Sequence, residues 1–210
     1  MDLLAELTKL KIVPVVKVDR AADVEPLAQA LVAGGLPCLE ITFRTAAAPA
    51  AIRLASRIAG LLVGAGTVLT PDQAQQAVDH GAQFIVSPGF SPKVVAWCLA
   101  HQVPVLPGVC TPTEVQLALE HGLNLLKFFP AETYGGRATL RALAAVYGGV
   151  SFVPTGGIDA ANLTGYLKLA CVAACGGSWM VTPALLAARD FAEITRLTAA
   201  AVRLAAETVD

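Results

Sequence analysis

Short apolar segments alternate with alanine-rich segments of helical periodicity along most of the chain. Eight of the apolar segments, roughly twenty residues apart, have the length and composition of buried strands. They are Ile12–Val18, Pro37–Thr42, Leu61–Gly66, Gln83–Ser87, Pro104–Leu106, Leu123–Phe128, Ser151–Pro154 and Leu169–Cys175. Because strands that alternate with helices favour a parallel sheet, this pattern predicts an α/β protein.

The predicted helices carry recognisable start and end signals. A hydroxyl residue precedes a proline, as an N-cap precedes the first helical position, at Thr70-Pro71, Ser91-Pro92 and Thr111-Pro112. Thr111 and Glu114 also have the spacing of a capping box. His80, His101 and His121 fall at predicted helix C-termini, where the helix dipole favours a cation. This position indicates a stabilising role for the histidines.

Eight strand–helix units in one chain predict a (β/α)₈ barrel, the TIM barrel, although a doubly wound open sheet is an alternative. The N-terminal segment has the pattern of an amphipathic helix that carries Asp2 and Glu6, and we expect this helix to cap the barrel. No linker or low-complexity stretch divides the chain, so residues 1–210 are predicted to form a single domain.

The composition excludes several classes of function. The chain is 55% hydrophobic and 15% charged, with a net charge of −1 and interspersed signs, so we expect neither a nucleic-acid nor a membrane partner. The N-terminus does not resemble a signal peptide. Five cysteines without a Cys-x-x-Cys motif indicate reduced thiols and a cytoplasmic protein. Cys171 and Cys175 are interpreted as core residues on a strand rather than a metal site.

The motif "NLLKFFPAE" places Lys127 inside an apolar run. Leu126 and Phe128 share a strand face that should meet the helices, so Lys127 is predicted to point into the barrel near its mouth. Desolvation favours the neutral, nucleophilic amine, which makes Lys127 a candidate reactive lysine. The alternative is a lysine paired with a buried carboxylate. Lys17, at the end of the first strand with Asp19 nearby, is a lower-ranked rival.

A carboxylate and a guanidinium lie on one face of the segment "CLEITFR". Glu40 and Arg44 are predicted to reach the same mouth of the barrel, where they could serve as an acid/base group and a carboxylate clamp. The alternative is an internal salt bridge that joins Glu40 to Arg44 or to Lys127.

Glycine pairs occur after the last two predicted strands, in "PTGGID" and "CGGSW". In many barrels these positions bind phosphate through backbone N–H groups, and glycine lets the backbone approach the anion closely. The alternative is a pair of tight turns. The segment "VGAGT" adds the hydroxyl of Thr67 to the same rim. No group of histidines and carboxylates has the spacing of metal ligands.

Several motifs together resemble the family of 2-keto-3-deoxy-6-phosphogluconate (KDPG) aldolases, which includes the 4-hydroxy-2-oxoglutarate (KHG) aldolases. They are "LEITFRT", "GAGTVLTP", "AQFIVSPGF", "PGVCTP", "LLKFFPAE", "PTGGI" and "GGSWMV". The resemblance runs from about Pro14 to Pro183. It implies a class I, metal-independent aldolase of the Entner–Doudoroff pathway, without a cofactor, in a (β/α)₈ barrel that forms a homotrimer. The implied ligands are a phosphorylated 2-keto-3-deoxy sugar acid and pyruvate.

The resemblance also implies roles for the reacting groups. Lys127 matches the lysine that forms the Schiff base, and Glu40 matches the general acid/base, acting through a water. Phe129 would pack beside the lysine.

Further residues match the family's binding groups. Arg44 and Thr67 would hold the carboxylate at the pyruvate end, with Pro88 lining that end. Thr155 would contact the sugar hydroxyls and influence the stereochemical choice. The residues that would cradle the phosphate are Gly156, Gly157, Gly176, Gly177 and Ser178.

Other activities remain open at this stage. The reaction could be that of a 4-hydroxy-2-oxoglutarate aldolase or of an aldolase for the galactonate epimer of the substrate. A non-catalytic phosphate-binding barrel, in which Lys127 only pairs with Glu40, is an alternative of another class. A metal-dependent sugar-phosphate epimerase is disfavoured by the missing ligand cluster.

Overall fold

The computed structural model describes residues 2–208 as an α/β fold with curled parallel sheets. Its strands are β1 (Ile12–Val16), β2 (Cys38–Thr42), β3 (Leu62–Gly66), β4 (Phe84–Val86), β5 (Val105–Leu106), β6 (Gly108–Val109), β7 (Leu125–Phe128), β8 (Ser151–Pro154) and β9 (Cys175–Gly177). Its α-helices are α1 (Leu3–Leu10), α2 (Val24–Ala33), α3 (Ala48–Ala55), α4 (Pro71–Asp79), α5 (Pro92–Ala100), α6 (Pro112–Glu120), α7 (Gly136–Val146), α8 (Leu163–Leu167), α9 (Pro183–Ala188) and α10 (Phe191–Ala206). A 3₁₀ turn covers Ala21–Asp23.

The strands form two sheets, and within each sheet neighbouring strands are parallel. The larger sheet has the order β5-β4-β3-β2-β1-β9, and the smaller has the order β6-β7-β8. Pro107 separates β5 from β6, so that β5 pairs with β4 while β6 pairs with β7. The order from β5 to β1 is sequential and lacks the reversal of a doubly wound sheet, so the described strands do not support that alternative.

The last strand lies further along the chain than the sequence predicted. The segment predicted as Leu169–Cys175 is mostly irregular, and β9 begins only at Cys175. Gly176 and Gly177 pair with Val13 and Pro14 of β1, so both glycines belong to the strand instead of following it. Glycine has a low β propensity, which is why the apolar pattern placed the strand too early. Cys171 consequently lies outside any strand.

Alternation of side chains along the strands separates two apolar clusters. Leu126 and Phe128 belong to the larger cluster, which lies between the strands and the helices. Leu125, on the opposite face of β7, belongs to a smaller cluster that also contains Leu3 and Leu7 of α1. The inward-facing side chains near the starts of the strands therefore contact the N-terminal helix.

The predicted helix signals are confirmed. The side chains of Thr70, Ser91 and Thr111 each accept a hydrogen bond from the backbone N–H three residues later. Glu114 completes a capping box with Thr111. Burial by itself would raise the pKa of Glu114, but hydrogen bonds from Cys110 and Thr111 outweigh it and hold that pKa below its ordinary value.

The three histidines lie at helix ends, and the five cysteines are free thiols. His80, His101 and His121 are the C-cap residues of their helices, as predicted. All five cysteines are free thiols, and Cys38 and Cys175 are buried, which raises the pKa of each. Within residues 2–208, every helix is too short or too polar to cross a membrane.

Candidate active site

Lys127 and Glu40 meet between the two curled sheets. Lys127 lies on β7 and Glu40 on β2, and their side chains are only 7% and 3% exposed. The Nζ atom of Lys127 lies 3.4 Å from Oε1 of Glu40. The ring centroid of Phe129 lies 5.4 Å from the same Nζ, so the amine also contacts an aromatic face. Of the salt bridges that the sequence left open for Glu40, the structure contains the one with Lys127.

One glycine on the neighbouring strand makes room for the carboxylate. Gly66 of β3 is aligned with Thr42 of β2. A Cβ atom at position 66 would overlap the carboxylate of Glu40, so only glycine permits this arrangement. The second glycine of the "GAGT" segment, Gly66, therefore has a steric role in the site.

A cavity of about 350 Å³ opens above the lysine at the carboxyl ends of the strands. It brings together all of the residues that the sequence predicted for the site, together with three that it did not. The predicted residues that line it are Glu40, Arg44, Thr67, Pro88, Lys127, Phe129, Thr155, Gly156, Gly157, Gly176, Gly177 and Ser178. The additional residues are Val15, Thr42 and Ile158. Thr42 shares a strand face with Glu40, and this alternation could have identified it.

The guanidinium of Arg44 lies at the rim of the cavity. Its Nε atom donates a hydrogen bond to Oγ1 of Thr42 at 3.0 Å, and Thr42 in turn donates to the carbonyl of Val16 at 2.9 Å. The described structure contains no ion pair between Arg44 and Glu40. Arg44 is exposed and leaves most of its donors available to a ligand.

Thr67 has an unusual backbone conformation at the end of β3. Its φ angle is 56°, which is the left-handed region and is strained for a β-branched residue. Strain of this kind concentrates at functional sites, where it fixes the direction of a side chain. Here it accompanies a hydroxyl that lines the cavity.

Glycines of the turn after β8 and of strand β9 line one wall of the cavity. Gly156 and Gly157 follow β8 with φ angles of 101° and 78°, and Gly176 is bridged to Thr155. Lys127 and Arg44 are the cationic side chains that line the cavity, and neither belongs to this glycine-rich wall. An anion bound there would therefore be held by backbone N–H groups and the hydroxyl of Ser178.

Lys17 lies outside this cavity. Its side chain is 41% exposed, and its Nζ atom lies 2.7 Å from Oδ1 of Asp19. It lines a separate cavity of about 300 Å³. Lys127 is therefore the amine that the fold buries. Residues 2–208 contain no group of three His, Cys, Asp or Glu side chains that could hold a metal ion.

A buried amine beside a carboxylate, at the carboxyl ends of parallel strands and near a glycine-rich wall, defines the class: an α/β protein with a lysine-centred cavity of the size that small molecules occupy. The chain matches the model of the KDPG and KHG aldolase family over residues 3–197. The chain belongs to this family.

Relatives cover nearly the whole chain. It is 53% identical over 192 residues to the 2-dehydro-3-deoxy-phosphogluconate aldolase of Treponema pallidum, covering 91% of each chain. It is 43% identical over 197 residues to the KHG/KDPG aldolase of Escherichia coli K12, covering 93% of this chain and 92% of that one.

A solved structure of the Legionella pneumophila KDPG aldolase, with pyruvate captured as a covalent carbinolamine intermediate, is also similar. It superimposes with a TM-score of 0.93 at 38% identity, covering 96% of this chain and 98% of that one.

Proposed function

We propose that this chain is a class I aldolase that cleaves 2-keto-3-deoxy-6-phosphogluconate to pyruvate and D-glyceraldehyde 3-phosphate. The observation that carries the proposal is the buried Lys127 amine, 3.4 Å from the Glu40 carboxylate, in a cavity whose wall includes four glycines and Ser178, which we assign as the glycine-rich phosphate cradle. Family membership and the names of the relatives agree with it.

The first step is attack of the Lys127 amine on carbon 2 of the substrate. The amine must be uncharged to attack, and the adjacent Glu40 carboxylate can accept its proton. A carbon–nitrogen bond forms, and a proton moves from the attacking nitrogen to the carbonyl oxygen, which becomes a hydroxyl. Glu40 then returns a proton to this hydroxyl, which leaves as water. The product is an iminium whose positive charge makes it an electron sink.

The second step breaks the bond between carbons 3 and 4. Glu40, acting through a water molecule, removes the proton from the carbon-4 hydroxyl. The electron pair of the breaking bond moves toward the iminium and forms an enamine, while carbon 4 becomes the aldehyde of glyceraldehyde 3-phosphate. Glu40 then protonates the enamine carbon, and hydrolysis releases pyruvate and restores Lys127.

The remaining cavity residues bind and orient the substrate. Arg44 and Thr67 hold the carboxylate next to carbon 2, and Pro88 lines that end. Phe129 packs beside the amine, and Thr155 contacts the sugar hydroxyls. The four glycines of the cradle and Ser178 bind the phosphate. Binding energy far from the reacting bond thereby orients the carbon chain of the substrate over Lys127.

Replacement of Thr67 by glycine tests the carboxylate assignment. We expect the pyruvate concentration needed for half-maximal borohydride trapping to rise roughly tenfold or more, since a hydrogen bond to a charged group is lost. The free energy of unfolding should not fall, because glycine accepts the left-handed conformation at a φ of 56°. Unchanged pyruvate dependence would remove Thr67 from carboxylate binding.

Cleavage of 4-hydroxy-2-oxoglutarate is the second candidate reaction, because the Escherichia coli relative carries both activities in its name. This substrate has no phosphate, so it cannot use the glycine-rich cradle. We expect kcat/KM for the phosphorylated substrate to exceed that for 4-hydroxy-2-oxoglutarate by about tenfold or more, and inorganic phosphate to inhibit competitively. Pyruvate release can be followed with lactate dehydrogenase.

The outcomes separate the alternatives. Equal efficiency on both substrates, without inhibition by phosphate, would favour the KHG aldolase. Preference for the galactonate epimer would change the stereochemical assignment. Absence of a trapped pyruvate adduct would favour a non-catalytic phosphate-binding protein.

The proposal extends to the barrel architecture, the cellular compartment and the oligomeric state. The chain forms one (β/α)₈ barrel domain over residues 1–210, with α1 as a cap at the amino ends of the strands. The bridges Phe152–Val172 and Thr155–Gly176 support closure between the two sheets, and the packing of Leu3 and Leu7 supports the cap. The protein acts in the cytoplasm as a homotrimer in the Entner–Doudoroff pathway, without a metal or cofactor, and has no nucleic-acid or membrane partner.

A further inference from the structure

The glycine turn after β8 is held by residues that do not line the cavity. Gly156 and Gly157 both have left-handed φ angles, 101° and 78°, so the exact path of this turn depends on its contacts. The backbone N–H of Glu132 donates to the carbonyl of Gly156 at 3.1 Å. The side-chain amide of Asn162 donates to the carbonyl of Gly157 at 2.8 Å. Both carbonyls are thereby fixed.

The side chain of Glu132 packs directly on Gly157. A Cβ atom at position 157 would lie 2.7 Å from Cβ and Cγ of Glu132, so the two residues are in close contact. The Glu132 carboxylate accepts a hydrogen bond from the hydroxyl of Tyr166 on α8. Tyr166 is fully buried and so provides a fixed anchor. Burial, followed by the Glu132 hydrogen bond, raises the pKa of Tyr166 above its ordinary value.

The same contacts connect the turn to the strand that carries the reactive lysine. Glu132 lies within the loop of residues 129–135 that joins β7 to α7, and Ala131 in this loop donates its N–H to the carbonyl of Thr155 at 2.8 Å. We propose that Glu132 and Tyr166 are positioning residues that hold the Gly156–Gly157 turn in register with Lys127 and so set the affinity for the substrate phosphate. This proposal rests on the proposed function, which places the phosphate at that turn.

A merely structural role makes a different prediction. If the contact between Glu132 and Tyr166 only anchored α8, its loss would lower stability and affect all substrates alike. If it positions the turn, its loss weakens binding of the phosphate and leaves the chemistry at Lys127 intact. Glu132 is exposed and Tyr166→Phe removes one oxygen, so both positions can be changed without emptying the core.

The experiment compares Tyr166→Phe and Glu132→Ala with the unaltered protein. For both variants we expect KM for 2-keto-3-deoxy-6-phosphogluconate to rise roughly three- to tenfold, which corresponds to the free energy lost with one ordinary hydrogen bond. The kcat/KM for unphosphorylated 2-keto-3-deoxygluconate and borohydride trapping with pyruvate should not change. Glu132→Gln keeps an oxygen acceptor for the tyrosine and should restore most of the affinity.

Tyr147→Phe is the matched control, because the Tyr147 hydroxyl also donates one hydrogen bond, in its case to the backbone carbonyl of Pro112, and Tyr147 does not line the cavity. Equal losses on both substrates, or no loss on either, would overturn the positioning role.

Calorimetric binding of inorganic phosphate tests the contact between Glu132 and Tyr166, here called the latch, independently of catalysis. Weaker phosphate binding by Tyr166→Phe in a protein that cleaves no substrate would uphold the latch and reject the aldolase. Unaltered or absent phosphate binding throughout would reject the latch.

Discussion

Lys127→Arg is expected to abolish aldol cleavage and to prevent any borohydride-trapped adduct with pyruvate. Arginine keeps a positive charge next to Glu40, so the buried carboxylate retains a partner and the fold is preserved. The guanidinium remains protonated and cannot form an imine. We expect kcat/KM to fall roughly 10⁴-fold or more, since the covalent path is lost.

Lys127→Ala should also be inactive, but for two reasons that must be separated. It removes the nucleophile, and it leaves Glu40 buried without its ion-pair partner, which costs about 3–5 kcal/mol in comparable cases. Circular dichroism and the denaturant midpoint would distinguish a folded, inactive protein from an unfolded one. The arginine variant is therefore the more informative of the two.

Lys17→Ala is the matched control for the trapping experiment. Lys17 is partly exposed and paired with Asp19, so its loss should change neither activity nor adduct formation. Mass spectrometry of the reduced adduct should locate the added mass on the peptide that contains Lys127. An adduct on Lys17, or trapping that persists in Lys127→Arg, would contradict the assignment.

The position of the reactive lysine could be predicted from the sequence because strand alternation is a local property. Leu126 and Phe128 identify the helix-facing side of β7, and a period of two then places Lys127 on the other side. Residues at the carboxyl ends of neighbouring parallel strands lie close together. The positions of the glycine pairs and of Glu40 in the sequence therefore predicted that they share one cavity.

Contacts between residues distant in sequence were not predictable in the same way. Glu132 and Tyr166 are polar residues without a local signal, and their contact depends on how the loop after β7 packs against α8. The strain at Thr67 is equally invisible, because threonine is not a residue that indicates a left-handed φ. The start of β9 was missed because its glycines pair through the backbone and leave no apolar pattern.

Glu40→Gln is expected to slow exchange of the methyl protons of pyruvate with solvent deuterium by about 10²–10⁴-fold, the usual contribution of a positioned acid/base group. The amide has the shape of the carboxylate and fits beside Gly66, so the site should remain assembled. It cannot accept the proton that must leave carbon 3 when the enamine forms. The measurement is the loss of the methyl signal in proton NMR in deuterium oxide.

The same variant should still form an imine, because the Lys127 nucleophile is intact and solvent can supply protons to the carbinolamine, although more slowly. Borohydride trapping after long incubation should therefore reach the level of the unaltered protein. Glu25→Gln, a change at an exposed carboxylate on α2, controls for the loss of one negative charge. Methyl exchange at the normal rate in Glu40→Gln would assign proton transfer to another group. Loss of both exchange and trapping would show that Glu40 is needed for imine formation itself, because the carboxylate next to Nζ would then be the base that frees the amine.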